Sequence, residues 1–190
     1  MKFKFLLVLV IIATGCKEKK KPRDPENEFM PVLAFIRDQV AKVDTSMYEI
    51  YQVTIRDTIS SDTIYIPREK FRDVAKDFLD IPDIANDEYS DRYLQSKQFD
   101  QTINRVLFTY TPTNPEKEEI QREEVLITQT GDQVTSIIID LVRNTKDSTI
   151  TKKMLWQMDK SFQVTTYRQL PGKPETISTL RVLWNGSEGE

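Results

Sequence analysis

The stretch QVTSIIIDLVRNTKDSTITKKMLWQM, residues 133–158, decides how this chain is read. Residues 133–143 and 148–158 each alternate apolar with polar side chains, and the polar run Asn144 through Asp147 separates them. Period-two alternation marks a strand with one buried face. A connection this short makes the two strands antiparallel neighbours. Outward from this pair the same pattern recurs near 103–111, 120–130, 161–170 and 175–184. Pro112 with Asn114-Pro115, Gly131-Asp132, Asp159-Lys160 and Pro171-Gly172 supply the turns between them. Everything from Thr102 onward is thus expected to be a β-meander. Segments of about ten residues are long for strands, which favours a strongly twisted or curved sheet.

The amino-terminal half has a different period. Phe29, Val32, Leu33, Phe35, Ile36, Val40 and Val43 follow the three-and-four spacing of one helical face. Pro31 is tolerated only in a first turn, so the helix is expected to begin near Met30. Met47 to Arg56 alternates, Asp57 to Asp62 is polar, and Thr63 to Ile66 returns, which predicts a hairpin. Pro67 opens a second helix with Phe71, Val74, Phe78 and Leu79 as its buried stripe, ended at Ile81-Pro82. Residues 84–98 are polar and tyrosine-bearing and are read as a loop or short helix. The expectation is an α+β fold: two amino-terminal helices flanking a hairpin, then a curved antiparallel meander of about five or six strands, with the helices packed on one sheet face. This order resembles the cone-shaped barrel of NTF2-like proteins in topology alone, without a shared motif, so no function follows from it.

The first fifteen residues read as a secretory signal. Lys2 and Lys4 make a positive start, Phe5 through Ile12 an apolar run too short to span a bilayer, and small residues follow. Ala13-Thr14-Gly15-Cys16 resembles the lipobox of bacterial lipoproteins, although the family usually has Leu where Ala13 stands. The resemblance covers about the first twenty residues. It implies cleavage before Cys16 and lipidation of that cysteine, the only one in the chain. It also implies membrane lipid as a partner through the acyl chains, including palmitate. Lys17 in place of an acidic residue favours the outer membrane.

Residues 16–25 then form a basic, apolar-poor tether. Residues 26–185 are expected to be one globular domain, and residues 186–190 a disordered tail.

Without residues 1–15 the chain carries 25 basic against 30 acidic residues, a net charge of −5. A phosphate backbone calls for a clustered basic surface, so nucleic acid is not an expected partner. There is no histidine and, with Cys16 acylated, no free thiol. Ser-His-Asp and Cys-His catalysis and His/Cys zinc sites are therefore excluded. Only Gly131 and Gly172 lie inside the domain, so no glycine-rich phosphate loop exists. No catalytic, cofactor-binding or metal-binding residue is assigned.

Several constellations remain. Met154, Trp156 and Met158 share one strand face, with Phe162 and Val164 on the next strand and Leu180, Val182 and Trp184 on the last. They are read as core covered by the helices, or as the lining of a cavity for an apolar ligand. Asp140 shares the parity of Ile138 and Val142; if that parity faces inward, it is a buried carboxylate in need of a partner, with Arg143, Arg168 and Arg105 as candidates. Glu116 through Glu124 is read as a solvated edge. These features lead to a non-enzymatic, membrane-tethered binding or assembly module of the cell envelope, whose partner is an envelope protein, glycan or lipid. The rivals are a carboxylate-based hydrolase, which needs acidic side chains converging in one cleft, and an apolar-ligand carrier, which needs an internal cavity.

Overall fold

The computed structural model describes residues 29–56 and 60–185. The predicted signal peptide, Cys16, the basic tether and the tail from residue 186 lie outside them.

Helix α1 spans Val32–Thr45, directly after Pro31, whose carbonyl accepts the N–H groups of Ala34 and Phe35. Its buried stripe is Val32, Leu33, Ile36, Val40 and Val43, interrupted by one polar residue, Gln39. The second predicted helix is three short pieces instead of one. A 3-10 turn at Arg68–Lys70 leads into α2 (Phe71–Val74), and α3 (Lys76–Leu79) follows after a break at Ala75. At the break the Phe78 N–H bonds to the Ala75 carbonyl, a three-residue turn tighter than an α-helix allows. A fourth short helix, α4, covers Asp87–Ser90.

The strands are β1 (Tyr51–Arg56), β2 (Ser60–Tyr65), β3 (Tyr93–Asp100), β4 (Arg105–Pro112), β5 (Ile120–Thr128), β6 (Val134–Asn144), β7 (Thr149–Gln157), β8 (Ser161–Gln169) and β9 (Thr176–Leu183). They form one antiparallel sheet of nine, in the order β2-β1-β9-β8-β7-β6-β5-β4-β3. This overturns the expected α+β fold of two helices, a hairpin and a separate meander of five or six strands: nine strands share one sheet with a few mostly short helices, and of the described residues 48% are strand and 21% helix. The barrel resemblance loses its strand count with it.

Two causes account for the difference. The hairpin is not a separate unit, because β1 pairs with β9 from Tyr51↔Leu183 to Arg56↔Ser178. That pairing joins segments more than a hundred residues apart, which no local pattern records. The other cause is β3, which occupies part of the region read as loop or short helix. An edge strand pairs on one side only, and Leu94 and Phe99 are exposed, so its apolar signal is faint.

The inward apolar residues of β3 to β9 form a single apolar cluster with Val32, Ile36, Val40 and Val43 of α1, Phe71 of α2 and Phe78 of α3. On β6, Ile137, Ile139 and Leu141 point into it, which sends Ile138, Asp140 and Val142 to the other face. In β5 a register shift between Ile120 and Arg122 inserts a bulge. Ile120 and Glu123 therefore both face inward although they stand three positions apart.

Candidate binding groove

Of the predicted cavity residues, three are core. Met154, Trp156 and Trp184 are fully buried and sit among Phe71, Phe78 and Phe162. Trp156 stacks on Phe162 at 5.1 Å between ring centres, while Phe78 meets Trp156 edge-on at 5.1 Å and Phe71 meets Trp184 edge-on at 5.1 Å. The short helices thus drive two phenylalanines into the space that a ligand would need, and the interior here is filled by rings. Met158 is separate from this group. It is half-buried at the end of β7 and lines a surface groove.

Asp140 is not a core carboxylate. It lies on the outward face, where Arg122 Nε donates to its Oδ2 at 3.0 Å. Arg143 instead forks onto Glu119 at 2.9 and 2.7 Å, and Arg105 donates to the Asn104 carbonyl.

The buried acid is Glu123, 1% exposed, inside the stretch read as solvated. It stands in register between Tyr110 of β4 and Ile139 of β6, and its Oε1 has no hydrogen-bond partner among the described residues. Burial, and then the Asp83 carboxylate, push its carboxyl up to about 8. Burial raises Tyr110 to about 12, with Glu123 adding to it, although the Met30 N–H bonded to its hydroxyl works the other way. Tyr93 is raised too, chiefly by burial, and its hydroxyl donates to the Ile120 carbonyl at 3.2 Å. The parity of Glu123, Val125 and Ile127 was the available signal, and the bulge hides it by placing Ile120 out of phase.

The neighbouring glutamates are not simply solvated either. Glu118 is largely buried against Arg92 at 3.0 Å. The Arg143 fork holds the Glu119 carboxyl below its usual range.

The groove lies where α1 meets the β5–β6 and β7–β8 turns and has a volume of about 310 Å³. Gln39, the polar residue in the buried stripe of α1, builds one wall. Its Nε2 donates to Asp159 Oδ1 at 3.0 Å, and its Oε1 accepts the Asp159 N–H at 2.7 Å. Asn185 Nδ2 donates to the Asp159 carbonyl at 2.8 Å. Asp159 has φ 56°, a left-handed conformation that these contacts hold in place.

The facing turn is held by Gly131 at φ 80° and by Thr128 and Thr130, whose hydroxyls donate to Asp132 Oδ1 at 2.5 and 2.6 Å. Those two bonds keep the Asp132 carboxyl below its usual range. Met30, Phe35, Val134 and Met158 make the walls apolar. Asp38, Asp132 and Asp159 carry negative charge, and Lys42, bonded to Asp38 at 3.1 Å, is the one cation among the described residues that line this groove.

A second pocket of about 470 Å³ shares Gln133, Val134, Met158 and Asp159 with the first and extends it past the start of β6. Among the described residues, no three carboxylates stand close enough to hold a metal ion. Among them, too, no helix is long and apolar enough to cross a membrane. Compared with protein-family models, with curated proteins and with solved structures, the chain matches none.

Proposed function

We propose that this chain is a non-catalytic binding module of the bacterial cell envelope, tethered by lipid on Cys16, with the outer membrane as its favoured site. Its contact surface is the groove between α1 and the two turns. The observation that carries this reading is the Gln39 clamp. A buried amide in an otherwise apolar stripe is costly unless satisfied, and here both its ends are spent on holding a left-handed turn at the groove wall. A wall held this way presents its side chains in a fixed arrangement, which lowers the ordering cost of binding.

The carboxylates argue for binding over hydrolysis. A general acid at neutral pH needs a raised pKa and access to substrate. Glu123 has the raised pKa but is sealed in the core, and Asp132, which lines the groove, has a lowered one.

Two measurements test the proposal. Cys16→Ser is expected to lose the acyl mass and move from the membrane fraction to the soluble fraction; a wild-type chain that is itself soluble and unacylated ends the anchor reading. In cells, a photo-cross-linking residue at Phe35 is expected to form an adduct with an envelope component, while the same residue at Lys97 on the far edge strand does not. Equal labelling at both positions ends the groove reading.

A further inference from the structure

We infer that one end of the sheet rests on the lipid surface and touches it with an apolar corner at each edge. This rests on the lipid anchor of the proposed function and adds a second, non-covalent membrane contact to it. The strand register defines that end. Arg105 pairs with Asp100 and Thr128, Gln157 with Ser136 and Ser161, and Leu183 with Ser161 and Tyr51, which pairs in turn with Tyr65. The β3–β4, β5–β6 and β7–β8 turns therefore share one border. Of the nine large apolar side chains exposed among the described residues, six gather at its two corners: Phe99 and Ile103 at one, Met47, Tyr48, Ile64 and Tyr65 at the other. Single exposed apolar side chains are ordinary on a protein surface, but a gathering at both corners of one border is not.

Both corners are built to present these side chains. At the first, Asp100 Oδ1 accepts the N–H groups of Thr102 and Ile103 at 2.8 and 3.3 Å, and Asn104 closes the turn at φ 53°. The carboxylate is thus engaged inside its own turn and Ile103 is left at the tip. Lys97, set back from the tip, holds its ammonium over the Phe108 ring at 5.2 Å, away from the contact. At the second corner the Ile66 N–H bonds to the Ile50 carbonyl and Arg68 donates to the Tyr48 carbonyl at 3.3 Å, which carries Met47 and Tyr48 just past the border. Met47 is 93% exposed, and two tyrosines flank it, rings with a polar tip of the kind that settles at headgroup level.

Two observations select a bilayer as the occupant. The corners belong to the two edges of a nine-stranded sheet, so eight strand spacings of about 4.8 Å put up to about 38 Å between them. A flat, continuous surface meets both at once, whereas a strand added to either edge meets only one. The tether points the same way. The described chain begins at Phe29, stacked on Tyr110 at 4.7 Å, and Met30 lines the groove beside Gly131 and Asp132 of the β5–β6 turn. The 13 residues from Cys16 to Phe29 span at most about 45 Å, so acyl chains on Cys16 keep this border close to the bilayer. Asp100, Asp132 and Asp159 stand along the border with Arg105 and Lys160, so anionic lipid finds no net attraction there and the apolar corners carry the contact.

The test places an environment-sensitive nitrobenzoxadiazole dye on the acylated full chain through Ile103→Cys or Tyr65→Cys. Leu94→Cys and Ile177→Cys, exposed apolar positions toward the opposite border, are the controls. Acylated Cys16 offers no thiol to the dye, and all four side chains are exposed, so none of the changes is expected to unfold the domain. In phosphatidylcholine vesicles, a doxyl lipid labelled near the headgroup is expected to quench the dye at positions 103 and 65, as fits a contact about 5–10 Å deep, and to leave positions 94 and 177 bright. High salt is expected to change nothing. Equal quenching at all four positions, quenching at one corner only, or its loss in high salt overturns the inference. A blue-shifted dye at 103 and 65 that doxyl lipid does not reach also overturns it, in favour of a second copy or another protein on this border. If the chain floats with the vesicles and no position is quenched, the anchor stands and the contact falls. A chain that is unacylated and does not float ends the anchor and the inference with it.

Discussion

Beneath α2 and α3, five rings from Phe71, Phe78, Trp156, Phe162 and Trp184 meet at 5.1 to 6.4 Å, edge-on, tilted or stacked. Two strands away on the same sheet face, Glu123 lies between Tyr110 and Ile139 with Tyr93 and Asp83 near it, and one of its oxygens is unsatisfied. Both regions are closed to water, yet they respond to burial in opposite ways. The aromatic region gains from every ångström of apolar contact. The glutamate region is tolerable only because its carboxyl keeps its proton to unusually high pH. One sheet face therefore holds a region whose stability is indifferent to pH and another whose stability is tied to it.

The largest expected effect breaks the aromatic region. Trp156→Ala removes the ring that meets Phe71, Phe78, Phe162 and Trp184. It should cost about 3–5 kcal/mol in urea unfolding. A loss under about 1 kcal/mol would mean that the rings do not hold the helices to the sheet.

Next comes the pH dependence. An unfolded Glu123 titrates near 4.5 and the folded one near 8, so between those values the native state holds more protons than the unfolded state. Its contribution is fully present below about 4.5 and is lost as pH rises toward about 8, at a slope approaching ~1.4 kcal/mol per pH unit. Glu123→Gln should remove that slope and leave the variant the more stable of the two at pH 9. Parallel curves for the two proteins from pH 5 to pH 9 would refute this.

The smallest effect sharpens the comparison by testing a buried polar group that is satisfied. Gln39→Ala should cost about 1–2 kcal/mol, because the amide of a buried side chain loses two part-buried hydrogen bonds. It should also speed hydrogen exchange at the Asp159 amide, while leaving the pH slope untouched.

How much of this was legible differs from element to element. Eight of the nine strands lie on segments read as strands in the sequence: the six of the meander, because each buries one face against the core, and β1 and β2 as the hairpin. Strand β3 was not legible, since an edge strand with exposed Leu94 and Phe99 alternates weakly. The β1–β9 pairing was invisible for another reason: it depends on where two distant segments arrive in space. At the groove, Met158 was singled out for the wrong company, and Gln39 passed unnoticed because a glutamine in a helical stripe resembles an ordinary surface residue. Glu123 was concealed by one inserted residue at the β5 bulge, which reverses the parity of everything before it.

From its sequence alone this chain yields a meander of alternating segments, the absence of histidine and of phosphate loops, and a cysteine in a lipobox-like setting. These depend on residue type and near-neighbour spacing, which side-chain chemistry and the period of the strand dictate locally. Only the tertiary structure decided that all nine strands share one sheet, which of two opposite parities faces inward, and which acid is sealed inside. It also decided that Gln39 and Asp159, 120 positions apart, would meet at a groove. Those outcomes turn on long-range pairing and on a single bulge, and both carry large energetic consequences with almost no local signature.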